Sequence, residues 1–263
     1  GDLLQLYIND EFFEIPTPEN AFLKLFKPKL DILYEDEHIL LVNKAPGMVV
    51  HGDETERVNT LINHIQAYLY QKKEWNPFRE HAFAPALCNR IDRNTGGIVI
   101  AAKNAETLRI INEKIRLREI DKRYLCITVG RPKPPEGRIE CFLLKDEQKK
   151  QVAVYHRPVP GGKTAVTDYR TLETRGELSL GEAGLETGRT HQIRVHLAHI
   201  GCPICGDYLY GRELPELKDR FALHSARLRC VQPVTGETVE VVEPLPEELK
   251  ALLTPSAFCA EFA

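Results

Sequence analysis

No stretch of this 263-residue chain approaches the ~18–20 consecutive apolar residues that a membrane-spanning helix needs, and the first ten residues lack the basic and apolar regions of a secretory signal. A cytoplasmic location is therefore expected, with no membrane partner. The seven cysteines (Cys88, Cys126, Cys141, Cys202, Cys205, Cys230, Cys259) are odd in number and scattered, which fits free thiols in a reducing compartment better than a disulfide frame. There is no Gly-x-Gly-x-x-Gly and no repeated βαβ rhythm, so a nucleotide fold is disfavoured. Methionine is nearly absent, with Met48 alone, and the chain starts without one, so further residues are expected ahead of Gly1. Charge of one sign is lacking too: the net value of −3 argues mildly against a polyanionic partner.

What is present is an ordinary soluble composition, 43% hydrophobic and 28% charged, enough for a sizeable core and one main domain. The charge is segregated along the chain. Lys103 to Arg123 holds seven bases against four acids, whereas Glu237 to Glu248 holds five glutamates and no base. The first segment is read as a basic face of moderate size.

Ile39 to Asn43 reads as a buried strand ended by Lys44-Ala-Pro-Gly47. Asn59 or Thr60 can cap a helix carrying Leu61, Ile62, Ile65, Tyr68 and Leu69, and residues 71–85 read as a loop. A strand at 98–102 leads to a helix from about Asn104, with Leu108, Ile111, Ile115 and Leu117 on one face. Strands are predicted at 124–129, 151–155, 165–172, 178–185, 222–231 and 238–242, a helix at 190–200 stopped by Gly201, and a last helix after Pro246. The irregular alternation predicts an α+β fold with a mixed, largely antiparallel sheet flanked by helices. The one boundary lies near Pro28 to Asp31: residues 1–30 are read as an extension and 31–263 as the main domain.

Three segments could carry chemistry. In Asn89-Arg-Ile-Asp-Arg-Asn-Thr-Gly-Gly97, Asp92 sits between Arg90 and Arg93 in a loop feeding a buried strand, where neighbouring cations can keep a carboxylate ionised. An isolated Arg-x-Asp-Arg is equally a solvated turn. Gly188-Arg-Thr-His-Gln-Ile-Arg-Val-His196 starts a helix on which His191, Arg194 and Val195 share roughly one face, with Arg189 at its positive end. Tyr124 opens an apolar strand behind Lys122 and Arg123, and could set a phenol at a strand end. Cys202-Pro-Ile-Cys205, with His196 and His199 upstream, lacks the second ligand pair of a structural zinc site and the strand-then-helix setting of a redox motif, so no metal is expected. His51 and His81 are left as structural or exposed.

These segments resemble the RluA family of RNA pseudouridine synthases, from about Asp31 to Leu249. Tyr34 to His51 is similar to the family's opening strand and turn, residues 89–97 to its catalytic loop, Lys122-Arg-Tyr124 to its Lys-x-Tyr strand, residues 188–196 with Gly206-Asp207 to its third motif, and Leu223 to Ala226 to its closing one. The resemblance implies the pseudouridine synthase fold, with an active-site cleft between two lobes. It implies that Asp92 is the catalytic aspartate, that Tyr124 lies against the target uracil, that Arg194 pairs with Asp92, and that Arg90 fills the gap when a uridine swings out of its stack. Arg93, Arg189, His191, Gln192 and Leu223 are expected to contact RNA or close the pocket, and Arg194 to grip Asp92 by a bidentate contact. Asn89 stands where the family commonly has His, and Gly96 where it has Ser. Neither is the nucleophile, so activity is expected to survive.

The implied reaction detaches uracil at nitrogen, turns it and rejoins it through carbon 5, and no cofactor is expected. Lys103 to Arg123 is expected to meet phosphates. Large-subunit ribosomal RNA is the expected substrate, with transfer RNA second, and a monomer is expected. The start of the chain is similar to the tail of a small RNA-binding domain that often precedes this catalytic domain. A non-catalytic RNA-binding protein is the rival reading. A glycoside hydrolase fares worse, because no second carboxylate lies near Asp92 in the motifs.

Overall fold

The apolar runs at 39–43 and 98–102 become β2 (Ile39–Lys44) and β4 (Gly96–Ala102), which pair antiparallel in the middle of one half of a sheet. Their side chains divide between two faces. Leu40, Val42, Val99 and Ala101 pack with α1 (Leu61–Gln71), while Ile39, Leu41, Ile98 and Ile100 pack with Ile111 of α2 (Ala105–Arg116). A strand with a helix on each face reads as continuous apolar sequence rather than as alternation, because both sets of side chains leave water. The computed structural model describes residues 20–79, 82–146, 148–218 and 220–254.

The remaining strands are β1 (Asp31–Glu35), β3 (Ala86–Leu87), β5 (Asp121–Val129), β6 (Glu136–Asp146), β7 (Gln151–Tyr155), β8 (Lys163–Arg175), β9 (Leu178–Leu185), β10 (Leu223–Val231) and β11 (Thr238–Val242). They join in the order β1-β2-β4-β10-β5-β9-β8-β6-β7, with β3 on β4 and β11 on β10. Among the described strands only the β4–β10 pairing is parallel. The fold is thus α+β with a mixed, largely antiparallel sheet, as the irregular alternation predicts. Two further helices are α3 (Gln192–His199) and α4 (Glu247–Ala251). Among the described residues no helix is long and apolar enough to cross a membrane.

Of the two cap candidates, Thr60 caps α1, its Oγ1 accepting the Asn63 N–H at 3.3 Å, and α2 is capped by Asn104, whose Oδ1 accepts the Thr107 N–H at 2.9 Å. Several boundaries differ from the sequence expectation. Tyr124 lies inside β5 rather than at its start, because Asp121 to Arg123 also pair with β10, with Asp121 and Arg123 forming an ion pair on the open face. Leu117 is exposed as the C-cap of α2 and not part of its buried face. Strand β6 was not predicted at all, although Ile139, Cys141 and Leu143 alternate inward; the charges at Glu136, Arg138 and Glu140 hide the period. Residues 1–19, and with them most of the N-terminal extension, lie outside the described residues, as do His81 and Cys259. Residues 20–30 do not stand apart from the main domain. Phe22 is buried against Trp75 at 5.1 Å between ring centroids.

Candidate active site

The Asp92 loop joins β3 to β4 and is pinned at several points. Asn89 Oδ1 accepts the Ile100 N–H of β4 at 2.8 Å, and Cys88 N–H donates to the Ile100 carbonyl at 2.8 Å. The Arg93 carbonyl accepts from Lys44 Nζ at 2.8 Å and from Gly47 N–H at 2.9 Å, and the Asn94 carbonyl accepts from Phe221 N–H at 2.8 Å. Lys44 is fully buried and also donates to the Ala45 and Met48 carbonyls, so three acceptors use the three N–H bonds of its ammonium. Burial pushes its pKa down to about 7, against the pull of the nearby Asp92 charge. The Asn in place of His thus has a structural job of its own.

Arg194 comes from the first turn of α3, and its guanidinium is divided between two carboxylates. Nη1 donates to Asp92 Oδ2 at 2.9 Å, while Nε and Nη2 fork onto Asp207 Oδ2 and Oδ1 at 2.7 and 2.9 Å. The bidentate contact expected for Asp92 therefore belongs to Asp207. Geometry decides this: Asp207 lies edge-on to the Nε side of the fork, which leaves one N–H for Asp92. Phe221 and Tyr210 hold the guanidinium, their ring centroids 4.0 and 5.2 Å from its carbon. Burial opposes the charge of Arg194, but the hydrogen bonds and charges of Asp207 and Asp92 outweigh it and raise its pKa.

Asp92 opens on a cavity of about 530 Å³ whose lining also contains Arg90, Tyr124, Arg189, His191, Arg194 and Leu223. Tyr124 is buried and un-ionised: burial, reinforced by the Asp92 charge and opposed by a hydrogen bond with Ser225, pushes its pKa to about 12. Arg90 is exposed at the cavity, and its charge adds to burial in lowering the pKa of His51. Ile91 and Leu223 contribute apolar wall. Lys122, two residues before Tyr124 on β5, brings a cation, and Lys145 from β6 brings another that no motif in the chain marks. No signal linked Lys145 to the loop, because β6 itself was not predicted.

Two of the expected contact residues are occupied elsewhere. Gln192 lines the cavity, yet its carboxamide accepts from Thr187 Oγ1 and Arg189 N–H and donates to the Val166 carbonyl and Thr167 Oγ1, so it knits α3 to β8. Arg93 turns away from Asp92 and bonds Asp53 Oδ2 at 2.7 Å and Thr55 Oγ1 at 2.6 Å, because adjacent residues of the turn project apart. The basic stretch 103–123 is also largely neutralised. Lys103 meets Glu35 and Glu74, Lys114 meets Glu119, Arg116 meets Glu113, Arg118 meets Glu186, and Arg123 meets Asp121. The helix expectation at 190–200 shortens to Gln192–His199, with His191 as its N-cap at φ +56°.

Gly96, where the family has Ser, lies against a small buried group of polar atoms. A Cβ there would be 3.4 Å from Arg220 Nη2, His224 Nδ1 and Pro46 Cδ. Arg220 Nε and Nη2, both nitrogens of His224 and Thr95 Oγ1 have no hydrogen-bond partner. Burial and the neighbouring Arg220 charge push the His224 pKa down to about 4.

Comparison with known proteins agrees with this geometry. Residues 38–199 match the RNA pseudouridylate synthase family. An uncharacterized RNA pseudouridine synthase of Chlorobaculum parvum is 36% identical over 94% of this chain and 79% of its own. The ribosomal large subunit pseudouridine synthase D of Zymomonas mobilis is 34% identical over 91% of this chain and 76% of its own. Among solved structures, human RNA pseudouridylate synthase domain containing 4 superposes with a TM-score of 0.65 at 25% identity, covering 89% of this chain and 94% of that one. A loop aspartate held by an arginine from a distant helix, a buried tyrosine beside it and these relatives lead to one conclusion: the chain belongs to the RluA-type family of RNA pseudouridine synthases.

Proposed function

We propose that Asp92 is the nucleophile with which this enzyme converts a uridine of large-subunit ribosomal RNA to pseudouridine. The observation that carries the reading is the Asp92 carboxylate, about a quarter exposed to the cavity and held from behind by Arg194, itself 3% exposed. The isomerisation breaks the bond between N1 and the sugar C1′, forms one from C5 to C1′, releases the C5 proton to water and leaves N1 protonated in its place, with no net oxidation and no energy input. Side chains suffice for such a step. Tyr124, a neutral phenol, is suited to stacking on uracil and is a poor base for the C5 proton. Arg90, exposed at the mouth, is placed to occupy the gap left by a flipped uridine. A monomer acting in the cytoplasm, where ribosomal RNA is met, completes the reading. The ribosomal assignment rests on relatives named as large-subunit synthases.

The test is tritium release from RNA labelled at uracil C5. The native chain should release tritium and Asp92→Asn should not. No release by the native chain, or undiminished release by the variant, sinks the reading. Pseudouridine maps of total RNA with and without the protein decide between ribosomal and transfer RNA.

A further inference from the structure

His191 holds a backbone conformation that side chains other than glycine rarely adopt, with φ at +56°. Such strain persists where the surroundings over-determine it, and it clusters at functional sites. The surroundings here form a directed chain of hydrogen bonds. The Val152 N–H of β7 donates to Tyr210 Oη at 2.8 Å, and Tyr210 Oη lies 2.9 Å from His191 Nδ1. Because its oxygen already accepts from Val152, the phenol has its own proton to give, and Nδ1 is in reach to accept it. A ring that accepts at Nδ1 carries its proton on Nε2.

The ring also packs edge-on to Tyr210, with centroids 5.6 Å apart. His191 lines the cavity beside Asp92, whereas Tyr210 does not, so the Nδ1 edge faces away from the cavity and the other edge faces it. Burial, helped by the Arg194 and Lys145 charges and opposed by those of Asp92 and Asp207, holds its pKa below the ordinary histidine value.

We infer that Tyr210 locks His191 in the Nε2–H form and that this single N–H donates to a carbonyl oxygen of the target uracil. The inference rests on the pseudouridine synthase reading of the cavity. A phosphate would be better served by the cations Arg90, Lys122 and Arg189 in the same lining. A lone neutral donor matches a carbonyl. When the N1–C1′ bond breaks, the electron pair stays on uracil and spreads over N1 and both carbonyl oxygens. A donor already in place stabilises that charge without giving up its proton, and it holds the free base while it turns. Tyr210 is then a positioning residue.

The experiment has a spectroscopic arm and a kinetic arm, both on the full chain. In protein carrying ¹⁵N-histidine at pH 7, with His191 assigned by its loss in His191→Gln, the wild type should show a protonated Nε2 and a bare Nδ1. Tyr210→Phe should convert this to a tautomer mixture. A wild-type ring protonated at Nδ1, or at both nitrogens, overturns the proposal.

In tritium release from RNA of cells lacking the protein, His191→Phe should lower kcat about 100-fold with KM changed less than about threefold and the thermal midpoint retained. His191→Gln, which keeps an N–H, should recover about tenfold of that loss. Full kcat in His191→Phe overturns the carbonyl contact. A wild type that releases no tritium overturns the enzyme reading and that contact with it, while the spectrum still decides the tautomer.

Discussion

One arginine serves two carboxylates at the heart of the site, and the two are unequal. Asp207 is fully buried and takes two hydrogen bonds from Arg194; Asp92 takes one and faces the cavity. Asp207 therefore orients the arginine, and the arginine orients Asp92. Asp207→Asn removes a buried charge partner while leaving Arg194 buried, so stability should fall by about 3 kcal/mol and kcat by more than tenfold, read by urea unfolding and tritium release. Gly96 offers the opposite case. Its Cβ position has room at 3.4 Å, and two unsatisfied polar groups wait there. Gly96→Ser should be neutral or stabilising by up to ~1 kcal/mol with activity retained, measured in the same assays. Sequence singled out Asp92, Tyr124 and Arg194, because their types and order are distinctive. It could not assign Asp207 its share of Arg194, since which of two carboxylates meets the fork depends on the angle between α3 and the 206–210 turn.

At the scale of elements, the helix α2 and the strand end after it looked like the RNA-binding face because bases outnumber acids there. Folding pairs five of those seven bases with carboxylates: Lys103 with Glu35 and Glu74, Lys114 with Glu119, Arg116 with Glu113, Arg118 with Glu186 and Arg123 with Asp121. The unneutralised rim is assembled instead from the Asp92 loop, β5 and the turn before α3, through Arg90, Lys122 and Arg189. Arg90→Ala and Lys122→Ala should each reduce the salt dependence of RNA binding by about one phosphate's worth, while Arg118→Ala, already paired with Glu186, should not. Binding titrations at several salt concentrations check this. Strand periodicity was legible where one face is apolar, as in β7, β9 and β11, and failed in β6. There, bases and acids on the open face satisfy each other across strands, a pairing that exists only after the sheet has formed.

For the whole molecule, burial of neutral histidines sets an acid limit. His196 and His224 are both buried, each with a pKa pushed by burial from 6.5 to about 4. A depressed histidine pKa means that the unfolded chain binds protons first. Stability is whole above about pH 6.5 and is lost as pH falls toward 4, by up to roughly 3 kcal/mol per group. Urea midpoints measured between pH 7 and 4 should fall steeply, and His196→Leu should flatten the slope. The sequence by itself determined the class of fold, a helix start at Asn59 or Thr60 and another near Asn104, and the residues proposed to carry the chemistry, because periodicity, capping and motif order are local properties of a chain. Tertiary structure alone decided that Asp207 takes the forked share of Arg194 and leaves Asp92 one hydrogen bond, which bases remain for RNA, and which tautomer His191 takes. Those are set by distances of about 3 Å between residues as far apart as Asp92 and Arg194, 102 positions along the chain.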